Sequence, residues 1–328
     1  MGRFITLTRP SSILVYAVLA FFILFPVVFD PGYYIMRVLM GILLLVILAV
    51  SLDVIYGYTG QMSLGHAAFY CIGAYTSTLL VMRMGWPFWL ALPASGIMAV
   101  IFSVPVGYIS FQFKGIIFAI VTFAFGEITR VIASIWDSLT RGELGIIRIP
   151  RPSLHLGAIS LDFESIESYY FLTLGVTVIS VAIMGLLVRS NLGRVFTTIR
   201  EEETLASSLG INTWRYKMIA FGISAFFAGI AGSLTAHYLK AIMPLTFNFT
   251  VSFTALLNVI IGGAGTILGP IIACFVLAII PEFLHILGEL RLAFYGVVLV
   301  LVVILLPNGI IGAFRGLISG RRKGELVE

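Results

Sequence analysis

The first candidates for chemistry are the few ionisable side chains inside long apolar segments. Glu127 and Arg130 are spaced i, i+3 within the apolar segment at about 115–135. On a helix this spacing lets the two side chains contact and neutralise each other. An ionisable residue within a membrane is costly and indicates function, so Glu127 is a candidate for lining or gating a solute path. The alternative is an interfacial pair, with Arg130 snorkelling toward water.

A glycine-rich stretch from Gly57 to Phe69, reading GYTGQMSLGHAAF, opens the next apolar segment. Glycine weakens a helix, and non-helical backbone within a membrane is tolerated only against protein or water. We therefore expect a broken entrance that either lines the path or packs closely against other helices. Its candidate path residues are Gly60, Gln61, Ser63 and His66. For His66, a hydrogen-bonded structural histidine is the competing interpretation.

A second glycine cluster, Gly262 to Pro270, precedes a later apolar segment and has similar glycine spacing. Broken segments at matching places in two halves of a chain are typical of transport paths. Asn258, in the short apolar segment at about 249–263, is a further candidate for the path. A third run, Ala220 to Gly232, is rich in small residues, which let helices approach closely within a subunit or between subunits.

Motifs of enzymes and nucleotide sites are missing from the sequence. There is no GxGxxG fingerprint, no GxxxxGK[ST] loop, no paired carboxylates and no Ser–His or metal-binding cluster. Cys71 and Cys274 lie in apolar runs and are expected to be small core residues. We therefore expect no enzyme activity, no metal, no cofactor bound by this chain and no nucleic-acid partner. Ion coupling has little support, because Glu127 is the only buried acid expected and Asp53 lies near a loop.

The elements that must position these residues are membrane-spanning helices. Of 328 residues, 60% are hydrophobic and 11% are charged, with a net charge of +5. A soluble domain carries about 25% charged residues, so most of this surface is expected to face lipid. The composition predicts an all-α fold, a polytopic transmembrane helical bundle forming one domain over 1–328.

A spanning helix needs about 20 apolar residues, which predicts about ten spans. They lie at about 12–29, 33–52, 61–82, 87–108, 115–135, 168–188, 217–239, 249–263, 268–287 and 292–307. The run at 12–29 is expected to be a retained span rather than a signal peptide. The bias of Lys and Arg among the loops places both termini in the cytoplasm.

Two loops are long enough to have their own structure. The loop at about 136–167 is polar, contains two prolines and is expected to form an external cap. The loop at about 189–217 is expected in the cytoplasm, with one amphipathic helix from Arg194 to Leu209. Its apolar stripe is Val195, Ile199, Leu205 and Leu209, and its opposite side carries Arg200, Glu201, Glu202 and Glu203.

The end of this cytoplasmic helix carries the signals of a sharp turn. Gly210 stands where a helix terminus favours a left-handed residue, and Asn212 or Thr213 can cap the next helix. An apolar stripe on a helix outside lipid needs a partner. The partner is the membrane surface, the base of this protein, or another protein.

Four motifs in the same order as in a known family carry a resemblance. The pattern Glu203-x-x-Ala206-x-x-x-Gly210 resembles the coupling loop of ABC-importer permeases. The stretches that are similar to the branched-chain amino acid ABC transporter permease family are Gly57–Phe69, Ala124–Glu127, Ala220–Gly232 and Gly262–Pro270. The acidic, proline-containing outer loop favours the LivM-type subunit over the LivH-type. Glu202 departs from the pattern, since family members often place Asn or Asp there.

The resemblance implies a permease that works with other subunits. These are a second, LivH-type permease, two cytoplasmic ATPase subunits that use ATP, and an external substrate-binding protein. Coupling to the ATPases is then assigned to Arg200, Glu201, Glu203, Ala206, Leu209 and Gly210. The implied substrates are branched-chain or related apolar amino acids. A permease for urea or short amides and an ion-coupled secondary transporter stay open as alternatives.

Overall fold

The structure is a computed structural model that describes residues 22, 25–26, 32–156, 159–283, 296 and 309–312, with only the backbone of 154–161 and 280–283. The spans predicted at 12–29 and 292–307 lie almost wholly outside these residues, as do both termini. Within the described part the chain is an all-α helical bundle, which confirms the predicted fold class. The number of ten spans is not established.

The described helices run in chain order as follows: α1 Tyr33–Tyr56, α2 His66–Met84, α3 Phe88–Ser110, α4 Ile116–Ile135, α5 Asp137–Thr140, α6 Ile166–Arg189, α7 Asn191–Glu201, α8 Glu203–Ser208, α9 Thr213–Leu239, α10 Phe249–Gly262 and α11 Leu268–Phe283. Six segments of the described chain are long and apolar enough to cross a membrane. They are α1, α3, α4, α6, α9, and α10 together with the 3-10 helix Pro244–Phe247 that precedes it.

Helix α10 corresponds to the short apolar segment predicted at about 249–263. Its 14 residues rise only about 21 Å, less than the roughly 30 Å of a bilayer's hydrocarbon core. Asn248 caps the helix by accepting a hydrogen bond from the Thr250 backbone N–H, 3.0 Å away. With the preceding 3-10 helix, the segment Pro244–Gly262 is long and apolar enough to cross a membrane.

Four short strands form a cap at one end of the bundle, with α5 and the 3-10 helix Gly142–Leu144. The strands are β1 Ile146–Ile147, β2 Ser153–Leu156, β3 Ile159–Asp162 and β4 Ala241–Ile242. β1 pairs antiparallel with β4, and β2 pairs antiparallel with β3. We call this end the cap end and the opposite end, which carries α7 and α8, the coupling end.

Helix α9 lies at the centre of the bundle and packs against α1, α2 and α3. The small residues of α9 allow this close packing. A Cβ atom at Gly229 would lie 2.7 Å from the Ser95 carbonyl oxygen of α3, and the Gly229 backbone itself leaves no room for a side chain at Gly73 of α2. The small-residue run predicted either internal packing or a subunit interface. In the described structure this run packs inside the subunit.

Candidate functional site

The loop between α6 and α9 forms two helices, α7 and α8, rather than the one helix that the sequence predicts. The chain leaves helical geometry at Glu202, which has φ −156° and ψ 100°. The break rotates the second helix relative to the first. Phe196 and Ile199 of α7 are therefore buried, whereas Leu205 and Leu209 beyond the break are 56% and 69% exposed. The predicted continuous apolar stripe is wrong for this reason.

Phe196 is the anchor that the sequence analysis missed. Its ring is fully buried and packs with the core of the bundle. The spacing of Phe196 and Ile199, i and i+3 on a helix, was the available signal. The buried residues of α7 thus pack against the base of this protein, which is one of the three partners that the sequence left open. The two exposed leucines still have no partner in the described part of the chain.

Glu203 lies beneath the loop rather than on its exposed side, which corrects the predicted arrangement. Its Oε1 atom lies 2.6 Å from the Nζ atom of Lys217 on α9, and its Oε2 atom lies 3.6 Å from the Nζ atom of Lys114. The Thr213 hydroxyl also donates to Oε1 at 3.3 Å. Partial burial alone would raise the pKa of Glu203, but the hydrogen bond and charge of Lys217, with Lys114 and Thr213, outweigh it and hold that pKa below its usual value.

The turn that follows α8 confirms the chemistry expected from its sequence. Gly210 has φ +82°, the left-handed geometry that favours glycine. The Asn212 side chain accepts a hydrogen bond from the Arg215 backbone N–H at 3.0 Å and caps α9, which begins at Thr213. Ala206 is fully buried under the turn. Glu201, Leu205 and Leu209 point away from the bundle and form an exposed knuckle.

The first glycine break spans 57–65, between the end of α1 and the start of α2 at His66. Hydroxyl groups of other helices satisfy backbone N–H groups around its end. The Leu64 N–H donates to Thr122 Oγ1 of α4 at 3.1 Å, and the Ala67 N–H donates to Ser252 Oγ of α10 at 2.7 Å. The non-helical backbone is thus held by protein, as the membrane interior requires.

The second glycine break, 263–267, separates α10 from α11 and lies directly against the first. A Cβ atom at Gly57 would overlap both the Asp53 carboxylate and the Gly265 backbone nitrogen. The Asp53 Oδ1 atom accepts a hydrogen bond from that nitrogen at 2.8 Å. The Arg200 guanidinium of α7 donates to the Gly57 carbonyl oxygen. The two breaks and the coupling loop therefore meet at one point.

Asp53 departs from the sequence-based expectation, and Arg200 makes a contact that the sequence did not predict. Asp53 is fully buried, because the second break folds over the end of α1 and shields it from solvent. Glu127 is thus not the most buried acid of the described chain. Arg200 is exposed, as expected for its side of the predicted helix, and its guanidinium reaches the first break.

The residues predicted to line the path fall into two groups. His66, Ser63 and Asn258 are fully buried in this structure. His66 Nε2 lies 2.6 Å from the Ser224 hydroxyl, and the Asn258 amide donates to the Thr254 carbonyl oxygen at 2.8 Å. These contacts favour the structural interpretation of His66.

The second group is accessible. Gly60 is exposed, with φ +77°, and Gln61 is half-buried. Arg130 Nε lies 2.8 Å from Glu127 Oε2, as the i, i+3 spacing predicts, and the two side chains are about 30% exposed, at 29% and 31%. This ion pair lies on α4, most of whose side chains lie on the surface of the subunit.

Comparison with known sequences gives the family. The sequence model of the family described as branched-chain amino acid transport system / permease component matches residues 34–303. The chain belongs to this family. Its members are membrane permeases of transport systems rather than enzymes, which agrees with the expected class. No solved structure matches the chain.

Individual relatives include both permease types. The high-affinity branched-chain amino acid transport system permease protein LivM of Escherichia coli is 33% identical over 306 residues, covering 85% of this chain and 71% of that protein. The LivM protein of Salmonella typhimurium matches to the same extent. The LivH protein of Salmonella typhimurium is 27% identical over 292 residues, covering 81% and 90%. The higher identity to LivM agrees with the predicted LivM-type assignment.

Among the described residues, no group of His, Cys, Asp and Glu could hold a metal ion.

Proposed function

We propose that this chain is the LivM-type permease subunit of an ABC importer in a bacterial or archaeal inner membrane. It pairs with a LivH-type permease, two cytoplasmic ATPase subunits and an external substrate-binding protein. The observation that carries this proposal is the exposed knuckle at the coupling end. An apolar pair, Leu205 and Leu209, stands on a rigidly anchored turn outside the bundle, which is the shape that a cytoplasmic docking partner would fit.

The anchoring of the loop supports a mechanical role. Phe196 and the Glu203–Lys217 ion pair fix α7 and α8 to the base of the bundle. A push on the knuckle would therefore move helix ends rather than bend a loose loop. Closure of the ATPases on ATP moves the coupling loop, and the helices behind it rearrange to open the path inward. Both termini are cytoplasmic in this arrangement.

The proposed substrates are branched-chain amino acids. A cavity of about 570 Å³, open to the surface of the described bundle, lies between α1, α9 and α10 and has mostly apolar walls. Leu44, Leu48 and Val251 supply aliphatic surface, and Tyr70 and Thr235 supply hydroxyl groups that hydrogen-bond to each other at 2.6 Å. Aliphatic walls with a few polar groups suit a solute that combines an aliphatic side chain with polar ends. This lining supports leucine-type solutes over urea.

The partly exposed Glu127–Arg130 pair supports a path along α4. Hydrocarbon disfavours an exposed ion pair, so this face of α4 is proposed to meet the second permease or the aqueous path. Gly60, Gln61, Ser63, His66 and Asn258 stay in the proposal as residues of the path or its gate. The buried members would become accessible only when the glycine breaks rearrange.

The test is solute uptake into proteoliposomes that contain the full complex. Labelled leucine and labelled urea are compared, with and without internal ATP, and with the ATPase subunits omitted. Leucine uptake that requires both ATP and the ATPases supports the proposal. Leucine uptake by this chain alone, driven by an ion gradient, would establish a secondary transporter. Preferential ATP-driven uptake of urea would establish an amide permease.

A further inference from the structure

One side chain of the coupling loop, Arg200, contacts both glycine breaks. We infer that Arg200 is a positioning residue that transmits movement of the coupling loop to both breaks, with Asp53 as its buried counterpart. We call Arg200, Asp53, Gly57 and Gly265 the latch. This inference rests on the proposed function, because it assigns the step between ATPase movement and rearrangement of the helices.

The first half of the latch joins α7 to the end of α1. The Arg200 guanidinium donates to the Gly57 carbonyl oxygen, a hydrogen bond between a charged donor and the first break. The same side chain runs along Gly60, where a Cβ atom would lie 3.4 Å from Arg200 Cγ. Charge-assisted hydrogen bonds are about twice as strong as neutral ones. Arg200 thus holds two residues of the first break at once.

The second half of the latch joins α1 to the second break. Asp53 is fully buried, and its Oδ1 atom accepts from the Gly265 N–H. Asp53 thus holds the second break against the end of α1, while Arg200 joins the same end of α1 to α7.

Because glycine has no side chain, the two breaks lie close enough together for the Arg200 guanidinium to contact both. A Cβ atom at Gly265 would lie 2.5 Å from Arg200 Nη1 and 2.9 Å from the Gly57 carbonyl oxygen. No side chain other than hydrogen fits at this position without displacing Arg200. Phe196 and Ile199 of the same helix are buried in the bundle, so a movement of α7 would carry the Arg200 guanidinium away from the Gly57 carbonyl oxygen and from Gly265.

Energy coupling in the full complex provides the test. Leucine import and ATP hydrolysis are measured in the same proteoliposomes, and the result is the number of ATP molecules hydrolysed per leucine imported. The variants are Arg200→Ala, Arg200→Gln and Arg200→Lys. The matched control is Arg194→Ala on the same helix, because Arg194 is exposed and bonds only to the neighbouring Asn191 side chain among the described contacts.

We expect the number of ATP molecules hydrolysed per leucine imported to rise about tenfold in Arg200→Ala, because this variant loses one charge-assisted hydrogen bond. Arg200→Gln should show a smaller rise, Arg200→Lys should largely restore coupling, and Arg194→Ala should match the wild type. A merely structural role would lower import and hydrolysis in proportion and leave the ratio unchanged. If Arg200→Ala fails to assemble, the ratio in Arg200→Gln decides.

The outcomes separate the latch from the proposed function. If the wild-type complex imports no leucine with ATP, the proposed function fails. If the wild type imports leucine, and neither Arg200→Ala nor Arg200→Gln raises the ratio above that of Arg194→Ala, the latch is overturned while the proposed function stands.

Discussion

The Nζ atom of Lys217 lies 2.6 Å from the Oε1 atom of Glu203, and the lysine side chain is only 5% exposed. Lys217 stands in the first turns of α9, and Glu203 begins α8, so this ion pair closes the coupling loop against the bundle. Removing one member of such a pair leaves the other charge without its partner in a poorly solvated place.

Glu203→Gln should therefore loosen the coupling loop. Because the carboxylate is partly exposed, we expect the free energy of unfolding to fall by about 1–3 kcal/mol, less than when a fully buried pair is broken. The measurement is the thermal unfolding midpoint of the purified chain in detergent. Glu201→Gln, at an exposed neighbouring position, is the control and should leave the midpoint unchanged. Equal midpoints for the two variants would contradict the anchoring role.

The Glu203–Lys217 ion pair should also make the stability of the chain depend on pH. The pKa of Glu203 in the folded chain lies below its ordinary value of 4.5, so the folded state favours the ionised carboxylate. Its stabilisation is fully present above pH 4.5 and is lost as pH falls through the lowered pKa. The stability difference between wild type and Glu203→Gln should be constant near neutral pH and shrink only under acidic conditions. A difference that shrinks above pH 4.5 would argue against this ion pair.

Exposed apolar residues of the knuckle should govern ATPase docking. The double variant Leu205→Ser, Leu209→Ser removes most of its apolar surface without touching the buried anchor. We expect the affinity of the permease complex for the ATPase subunits to fall about tenfold or more, as for two contacts at the centre of an interface. Co-purification and binding titrations with the isolated ATPase measure this. Leu144→Ser, at an 83% exposed position of the cap end, is the matched control.

The cavity between α1, α9 and α10 can be filled without disturbing the fold. Gly41 lines it, and a Cβ atom there would meet nothing within 4 Å. Gly41→Leu should therefore keep the helix intact, since leucine is a better helix former than glycine. If leucine passes through this cavity, the variant should raise the KM for uptake or abolish uptake. Gly175→Leu on α6 has the same open surroundings outside the cavity and should transport normally.

Local signals in the sequence predicted local structure well. The left-handed turn at Gly210, the cap at Asn212 and the contact between Glu127 and Arg130 all depend on residues a few positions apart. The positions of the helices likewise followed from apolar stretches of sufficient length. These features need no knowledge of how distant segments pack.

Features that depend on distant segments were not predictable in the same way. Asp53 near the end of a span looks accessible to water until the second break, more than two hundred residues later, folds over it. The contact between the exposed Arg200 side chain and the Gly57 carbonyl group joins residues 143 positions apart, so no local pattern indicates it. The kink at Glu202 leaves no composition signal, because glutamate is a good helix former and only the fit of the loop to the bundle disfavours helix there.

The glycines of the chain divide into two kinds, and this division offers a way to recognise distant relatives that share the mechanism. Gly41, Gly175 and Gly185 have room for a Cβ atom, whereas Gly57 and Gly262 have backbone atoms where a side chain would begin. A protein that keeps the overall hydropathy profile but carries larger residues at the second kind of position cannot bring the two breaks together. Such a protein would have to join its coupling loop to its membrane helices by a different route.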